Sequence, residues 1–232
     1  LVVREVHPTF ADFLQYKQHM ENPVIIIGSA TGLGIVALDI FQSNQVIVYC
    51  FLDDNKELHG KEVHEISVMG STDDDGYLKL IGKKCEAFIA TDDTKFHKHL
   101  TEMLNERRKM MPVNAIHNRA TISGMASIGH GNLISSNVII NTGAKVGNHC
   151  ILHAGAIVDY QAQVGDFVQI GAGSIINSNV NLANDVFVGS GVTIVSGIKV
   201  GKGARIGAGS VVIEDVKAGA TVFGNPAKAI GK

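Results

Sequence analysis

The chain has 232 residues, 45% of them hydrophobic and 18% charged, and its 20 basic and 22 acidic side chains leave a formal net charge of −2. That balance supports a buried core and gives neither nucleic acid nor an anionic membrane surface an electrostatic reason to bind, so neither is expected as a partner. Cys50, Cys85 and Cys150 are odd in number, widely spaced and without CxxC pairing, which argues against a disulfide framework or a zinc site and for a reducing, cytoplasmic location. No run reaches the roughly 18 apolar residues of a membrane span, and the first 22 residues lack the apolar centre of a secretion signal.

In chain order, Thr9 to Met20 is predicted as a helix, with Thr9 as N-cap and Asp12 at the partner position of a capping box. Residues 1–22 are expected to form a helical extension, and 23–111 a Rossmann-like α/β domain. In that domain Val24 to Ile27 reads as a buried strand, Gly32 to Phe41 as a helix, Val46 to Leu52 and Ala87 to Ala90 as further strands, and Thr94 to Lys109 as an amphipathic helix. Strands alternating with helices predict a parallel sheet covered on both faces. The turn Gly28-Ser29-Ala30-Thr31-Gly32-Leu33-Gly34 joins the first strand to the first helix. Glycines there let backbone N–H groups approach a phosphate at a helix start, but a tight turn without a ligand uses them equally well. Asp53 and Asp54, after the second strand, either accept hydrogen bonds from a base or ribose or stand as solvated turn residues.

From Pro112 the period changes. Seven of the 26 glycines precede Pro112 and 19 follow it. Aliphatic residues recur every six positions from Ile122 to Val212, which is (212 − 122)/6 + 1 = 16 consecutive positions, and the fourth residue after each is small or aliphatic except at Asn132. Neither a helix nor an ordinary alternating strand has this period. Each hexad reads as a short strand and a corner, and three of them make one coil of a triangular prism, with residues 18 apart stacked about 4.8 Å apart. Residues 112–232 are therefore expected to be an all-β parallel β-helix, its far end covered by the segment from Val216 onward.

The unbroken hexads ending in Gly224-Asn225-Pro226-Ala227-Lys228 resemble the left-handed β-helix (hexapeptide-repeat) acyltransferases. The preceding α/β domain, its glycine turn and Phe51-Leu52-Asp53-Asp54 are similar to one branch of them, the sialic acid O-acetyltransferases and the UDP-amino-sugar and GDP-perosamine N-acetyltransferases. The resemblance implies acetyl-CoA as cosubstrate, a sugar as acceptor, a homotrimer and no metal. It implies acceptor binding by Gly28, Ser29, Gly32, Gly34, Asp53 and Asp54. Cofactor binding is implied for Gln169, Ser178, Gly189, Gly207, Asn225, Pro226 and Lys228.

The sequence departs from that branch where it matters for chemistry. Leu33 replaces a histidine of the glycine turn, and Thr91-Asp92-Asp93 sets two carboxylates where a nucleotide diphosphate would lie, which implies weak binding of UDP-type ligands. Asp159-Tyr160 stands where the branch carries an acidic residue followed by its base, a histidine. A phenol with an ordinary pKa of about 10 is a poor proton acceptor at neutral pH, whereas imidazole at about 6.5 is well matched. His153, one hexad earlier, is the substitute that the alignment offers, or else a solvated corner residue. Catalytic roles accordingly fall to His153, Asp159 and Tyr160. Two functions follow: an acetyltransferase acting on a sugar amine or hydroxyl, nucleotide-linked or free, or a non-catalytic trimeric binding protein that has lost its base.

Overall fold

A computed structural model describes residues 22–230. The helix expected from Thr9 to Met20 lies outside the described residues. The chain forms two compact units, one of residues 22–118 with His130–Ser135 and the other of Arg119–Gly129 with residues 136–230.

The first unit is built on a five-stranded sheet of order β3-β4-β2-β1-β5. Its strands are β1 (Val24–Gly28), β2 (Val48–Asp53), β3 (Glu62–Val63), β4 (Ile66–Gly70) and β5 (Glu86–Ile89). Strands β4, β2, β1 and β5 run parallel, and β3 pairs antiparallel with β4. The hairpin of β3 and β4 is absent from the sequence reading. Its turn residues, His64 and Glu65, both adopt positive φ (47° and 66°) without the Asn-Gly or Asp-Gly pair that advertises such a turn.

Helix α1 (Leu33–Ser43) begins one residue later than predicted. Its Phe41 meets Phe88 of β5 edge-on at 5.6 Å between ring centroids. Helix α3 (Thr94–Arg108) packs Leu100, Met103 and Leu104 against Ile25, Ile27, Cys50 and Leu52, while the one-turn helix α2 (Asp75–Leu78) adds Leu78 to the same core. Alternate residues of the sheet thus face opposite layers. Lys109, predicted as the last helical residue, is instead the C-cap, in the left-handed region at φ 53°.

In the prism, each of the sixteen predicted aliphatic positions is the second residue of a two-residue strand, from Thr121–Ile122 to Val211–Val212. From Ile134 onward all of them are buried. Residues 18 apart pair in parallel, as in Ile139↔Ile157↔Ile175, Lys145↔Gln163↔Asn181 and Ile151↔Gln169↔Phe187. This is the stacking that the period of six requires, and it fits a left-handed β-helix acyltransferase. The interior serines are satisfied: Ser174 Oγ donates to Gly189 O at 2.8 Å, and Ser210 Oγ accepts from Gly224 N at 3.0 Å. Asn132, the exception to the small positions, is fully buried in the first unit, and its N–H and Nδ2 both donate to Asn114 Oδ1.

Every sixth residue from Gly131 to Gly209 has positive φ, (209 − 131)/6 + 1 = 14 consecutive corners. Eight are glycine and six are not: Asn137, His149, Gln161, Phe167, Asn179 and Asp185. Non-glycine residues are disfavoured there by Cβ sterics, and one corner offsets part of that cost by stacking His149 on Phe167, with centroids 4.8 Å apart. The preceding side chain at that corner ties the coils together, because Asp166 Oδ1 accepts from Asn148 N at 2.7 Å and Asn184 Oδ1 from Asp166 N at 3.0 Å. Beyond Val212, Thr221–Phe223 continues the stack parallel to Arg205–Ile206 and then turns back antiparallel as Lys228–Ala229.

Candidate active site

The glycine turn is held from below by Asp53. Its carboxylate accepts from Ala30 N at 2.7 Å and Asn55 N at 2.8 Å, and only 7% of the residue is exposed. Gly28 is confined because a Cβ would lie 2.9 Å from Ala90 O at a φ of 124°, and a Cβ on Gly34 would overlap the Ser29 carbonyl oxygen. Ser29 closes the loop internally, donating to Thr31 O and accepting from Thr31 N. Gly32 is the N-cap of α1 with no side-chain cap. Asp54 Oδ1 accepts from both the N–H and the hydroxyl of Thr72 at 2.9 Å. The two aspartates therefore brace the loops with carboxylate oxygens that the sequence alone would leave either to a ligand or to solvent, and the largely buried Asp53 is no solvated turn residue. Asp93 likewise caps α3, accepting from Lys95 N and Phe96 N.

In the prism the three predicted catalytic residues occupy two corners of one coil. His153 follows strand Ile151–Leu152, and Asp159 and Tyr160 follow Ile157–Val158 one side further round. Asp159 is oriented by Asn141 of the coil before, whose Nδ2 donates to Oδ1 at 2.8 Å. Tyr160 is half exposed. Above it lies Ser178, buried, with its hydroxyl donating to Ser196 at 3.0 Å. Asn141 escaped the sequence reading, although a spacing of 18 from Asp159 was the available signal.

The His153 corner changes character upward through the stack. Gly171-Ala172-Gly173, Gly189-Ser190-Gly191 and Gly207-Ala208-Gly209 follow it, so at this corner three successive coils carry no side chain larger than serine. A Cβ on Gly189 would lie 2.6 Å from Ala208 N, and one on Gly207 would lie 2.7 Å from Cδ2 of Phe223. Stacking thus requires glycine at position 189, where the obstacle is backbone, whereas at Gly207 the obstacle is the side chain of the exposed Phe223. Gln169 lies on the adjoining side, between Ile151 and Phe187, over which Arg205 sits at 4.3 Å. The Gly224–Ala227 turn closes the corner: Ala227 N donates to Val211 O and Gly224 O accepts from Val211 N, leaving Asn225, Pro226 and Lys228 exposed. Phe223, unremarked in the sequence, is the residue that roofs the glycine column.

All three cysteines are buried and unpaired with one another. Burial pushes the Cys50 and Cys150 thiols up to about 12 and raises that of Cys85, so none is a ready nucleophile. Among the described residues no group of three or more His, Cys, Asp or Glu side chains is arranged to hold a metal ion, and no helix is long and apolar enough to cross a membrane.

The stacked hexads, the bare glycine corner and the closing turn define the architecture of hexapeptide-repeat acetyltransferases. Neither a protein-family profile nor a curated protein sequence matches the chain. Among solved structures, perosamine N-acetyltransferase from Caulobacter crescentus, in complex with CoA and GDP-perosamine, is similar at 25% identity with a TM-score of 0.82, over 91% of this chain and 98% of that one. The acetyltransferase domain of PglB from Neisseria gonorrhoeae is 26% identical with a TM-score of 0.82, over 90% of this chain and all of that one, and has also been seen with acetyl coenzyme A. WeeI from Acinetobacter baumannii shares the fold at 24% identity and a TM-score of 0.77. The structural neighbours are hexapeptide-repeat acetyltransferases of the sugar N-acetyltransferase branch.

Proposed function

We propose that the protein transfers the acetyl group of acetyl-CoA to the amine of a sugar carried on a nucleotide. The observation that carries the reading is the likeness, over 91% of the chain and hence across both units, to an enzyme holding CoA and GDP-perosamine together. The bare corner suits the thin, extended arm of CoA, with Gly189 and Gly207 along its path, Gln169 and Ser178 at its sides and Asn225, Pro226 and Lys228 at its mouth. The glycine turn, with Ser29 and the positions braced by Asp53 and Asp54, would hold the nucleotide, weakly for UDP-type ligands because of Asp92 and Asp93, although the Asp93 carboxylate is engaged in capping α3. In the reaction the acceptor nitrogen attacks the thioester carbonyl, a base takes the proton that nitrogen loses, and the same group hands that proton to sulfur as the C–S bond breaks, so that CoA leaves as the thiol.

The two corners of candidate residues favour a shared site in a homotrimer. The side between them presents Ile139, Ile157 and Ile175 outward, whereas another side presents Lys145, Gln163, Asn181 and Lys199. Three prisms turning the apolar side to a common axis make a closed ring of identical contacts. Each His153 corner then adjoins the corner bearing Asp159 and Tyr160 of the partner subunit. In that setting His153 is the base, Asp159 orients it or the acceptor amine, and Tyr160 donates a hydrogen bond to the sugar. A cytoplasmic location accords with the buried free thiols.

The exposed phenol of Tyr160, where the resemblance implies an imidazole, favours a second reading, a trimeric binding protein without turnover. Release of CoA from acetyl-CoA across free and nucleotide-linked amino sugars separates the two. Turnover with a nucleotide-linked amine supports the transferase. Silence with every acceptor, in the native chain and in Tyr160→His alike, supports the binding protein.

A further inference from the structure

The α/β unit has a concave feature remote from the glycine turn. A cavity of about 540 Å³ is lined by Asp75, Leu78, Lys79, Arg107 and Arg108, where α2 meets the C-terminal end of α3. Helix α3 starts beside the glycine turn, with Asp93 as its N-cap. At about 1.5 Å of rise per residue, its last turn stands roughly 20 Å away from that cap.

The arrangement of the cations is uneven. Arg108 is fixed by carbonyls: its Nε and Nη2 donate to Ile81 O at 3.2 and 2.7 Å, and Nη2 also reaches Lys79 O at 3.3 Å. Its guanidinium plane is therefore set before any ligand arrives, and its charge remains unneutralised. Arg107 uses Nη1 for Asp73 O and for Asp75 Oδ1 at 3.2 Å, leaving Nε and Nη2 for another acceptor. The Arg107–Asp75 pair is exposed, with 46% and 88% of the side chains accessible, so it exchanges readily with a stronger anion. Lys79, exposed, adds an ammonium. Among the lining side chains three cations stand against one carboxylate, with Asp73 and Asp74 directly before it in the chain, and two guanidinium groups beside an ammonium form the donor set that phosphate oxygens prefer.

We propose that this cavity is a binding site for a phosphate-bearing small molecule, a monoester or diphosphate, separate from both substrate sites of the proposed transferase. The phosphate would displace Asp75 from Arg107, lie against the fixed guanidinium of Arg108 and draw Lys79 inward. Lys83 and Lys84 on the adjoining turn add attraction at longer range.

Calorimetric titration of the full chain with inorganic pyrophosphate tests the site directly. Binding should weaken at least tenfold in Arg107→Ala and in Lys79→Ala. It should tighten severalfold in Asp75→Asn, which removes the competing carboxylate, and stay unchanged in Lys61→Ala. All four side chains are solvent-facing, and circular dichroism verifies that each variant folds. Absence of binding by the native chain would overturn the proposal. So would binding that is indifferent to Arg107→Ala and Lys79→Ala, because the pyrophosphate would then be held elsewhere, as at the glycine turn.

Discussion

Replacing Gly189 by alanine isolates the contribution of coil stacking. The new Cβ would lie 2.6 Å from Ala208 N, 2.9 Å from Ala208 Cα and 3.0 Å from Ile206 O. All three are backbone atoms of the next coil, so no side chain can swing aside. Restoring van der Waals contact moves the coil by most of an ångström, which strains the bonds Gly189 N→Ile206 O and Gly209 N→Ser190 O, both 2.9 Å. Weakening two hydrogen bonds at about 1 kcal/mol each, with some overpacking strain, gives about 2–4 kcal/mol. For a chain of this size that lowers Tm by roughly 4–16 °C. Gly173→Ala on the same corner is the control, since its Cβ meets nothing within 4 Å and only the φ of 66° is unfavourable, a cost of about 1–2 kcal/mol. Thermal unfolding followed by circular dichroism compares the two. A Gly189→Ala variant no less stable than Gly173→Ala would refute the argument that stacking, and not ligand contact, demands glycine there.

Asp53→Ala removes the acceptor of two loop N–H groups, one of them buried, and should cost about 1–3 kcal/mol in urea unfolding while loosening the glycine turn. The Cys150 thiol, pushed up to about 12 from an ordinary 9.0, keeps its proton in the folded chain at a pH where the unfolded chain has lost it. Stability should accordingly fall as pH rises from about 9 towards 12, and Cys150→Ala should flatten that decline in denaturation curves. His153→Ala should lower kcat/KM for acetyl transfer by roughly 10²- to 10⁴-fold, the usual cost of losing a general base, and Tyr160→His should raise it; unchanged turnover in the first variant would remove His153 from the mechanism. Ile157→Glu, on the apolar side of the prism, should convert a trimer to monomers by light scattering, and a monomeric native chain would dispose of the shared site.

The prism was readable because a period of six has no competitor among regular structures, and one aliphatic column fixed all sixteen strands from Thr121 to Val212. The α/β unit was readable where strands are long and buried, as at Val24–Gly28, and unreadable at Glu62–Val63, a strand of two residues turned by a His-Glu pair. Site residues proved harder for a different reason. Whether Asp53 meets a ligand or a loop depends on Ala30, 23 residues earlier, and no local pattern reports that pairing. Asn141 could have been found, since the coil length puts it next to Asp159. Phe223 could not, because it lies beyond the last regular hexad, where the period no longer predicts what stacks on what.

The left-handed residue at each corner from Gly131 to Gly209 also governs how such a chain can change in length. Loss or gain of one residue within a strand would move an interior side chain outside and put the wrong residue into every later left-handed position of the coil. Removing a whole coil of 18 leaves both sets in phase, and a loop inserted at a corner simply bulges away from the axis. The prism is thus tolerant of edits in multiples of a coil and at its edges, and intolerant of almost any other.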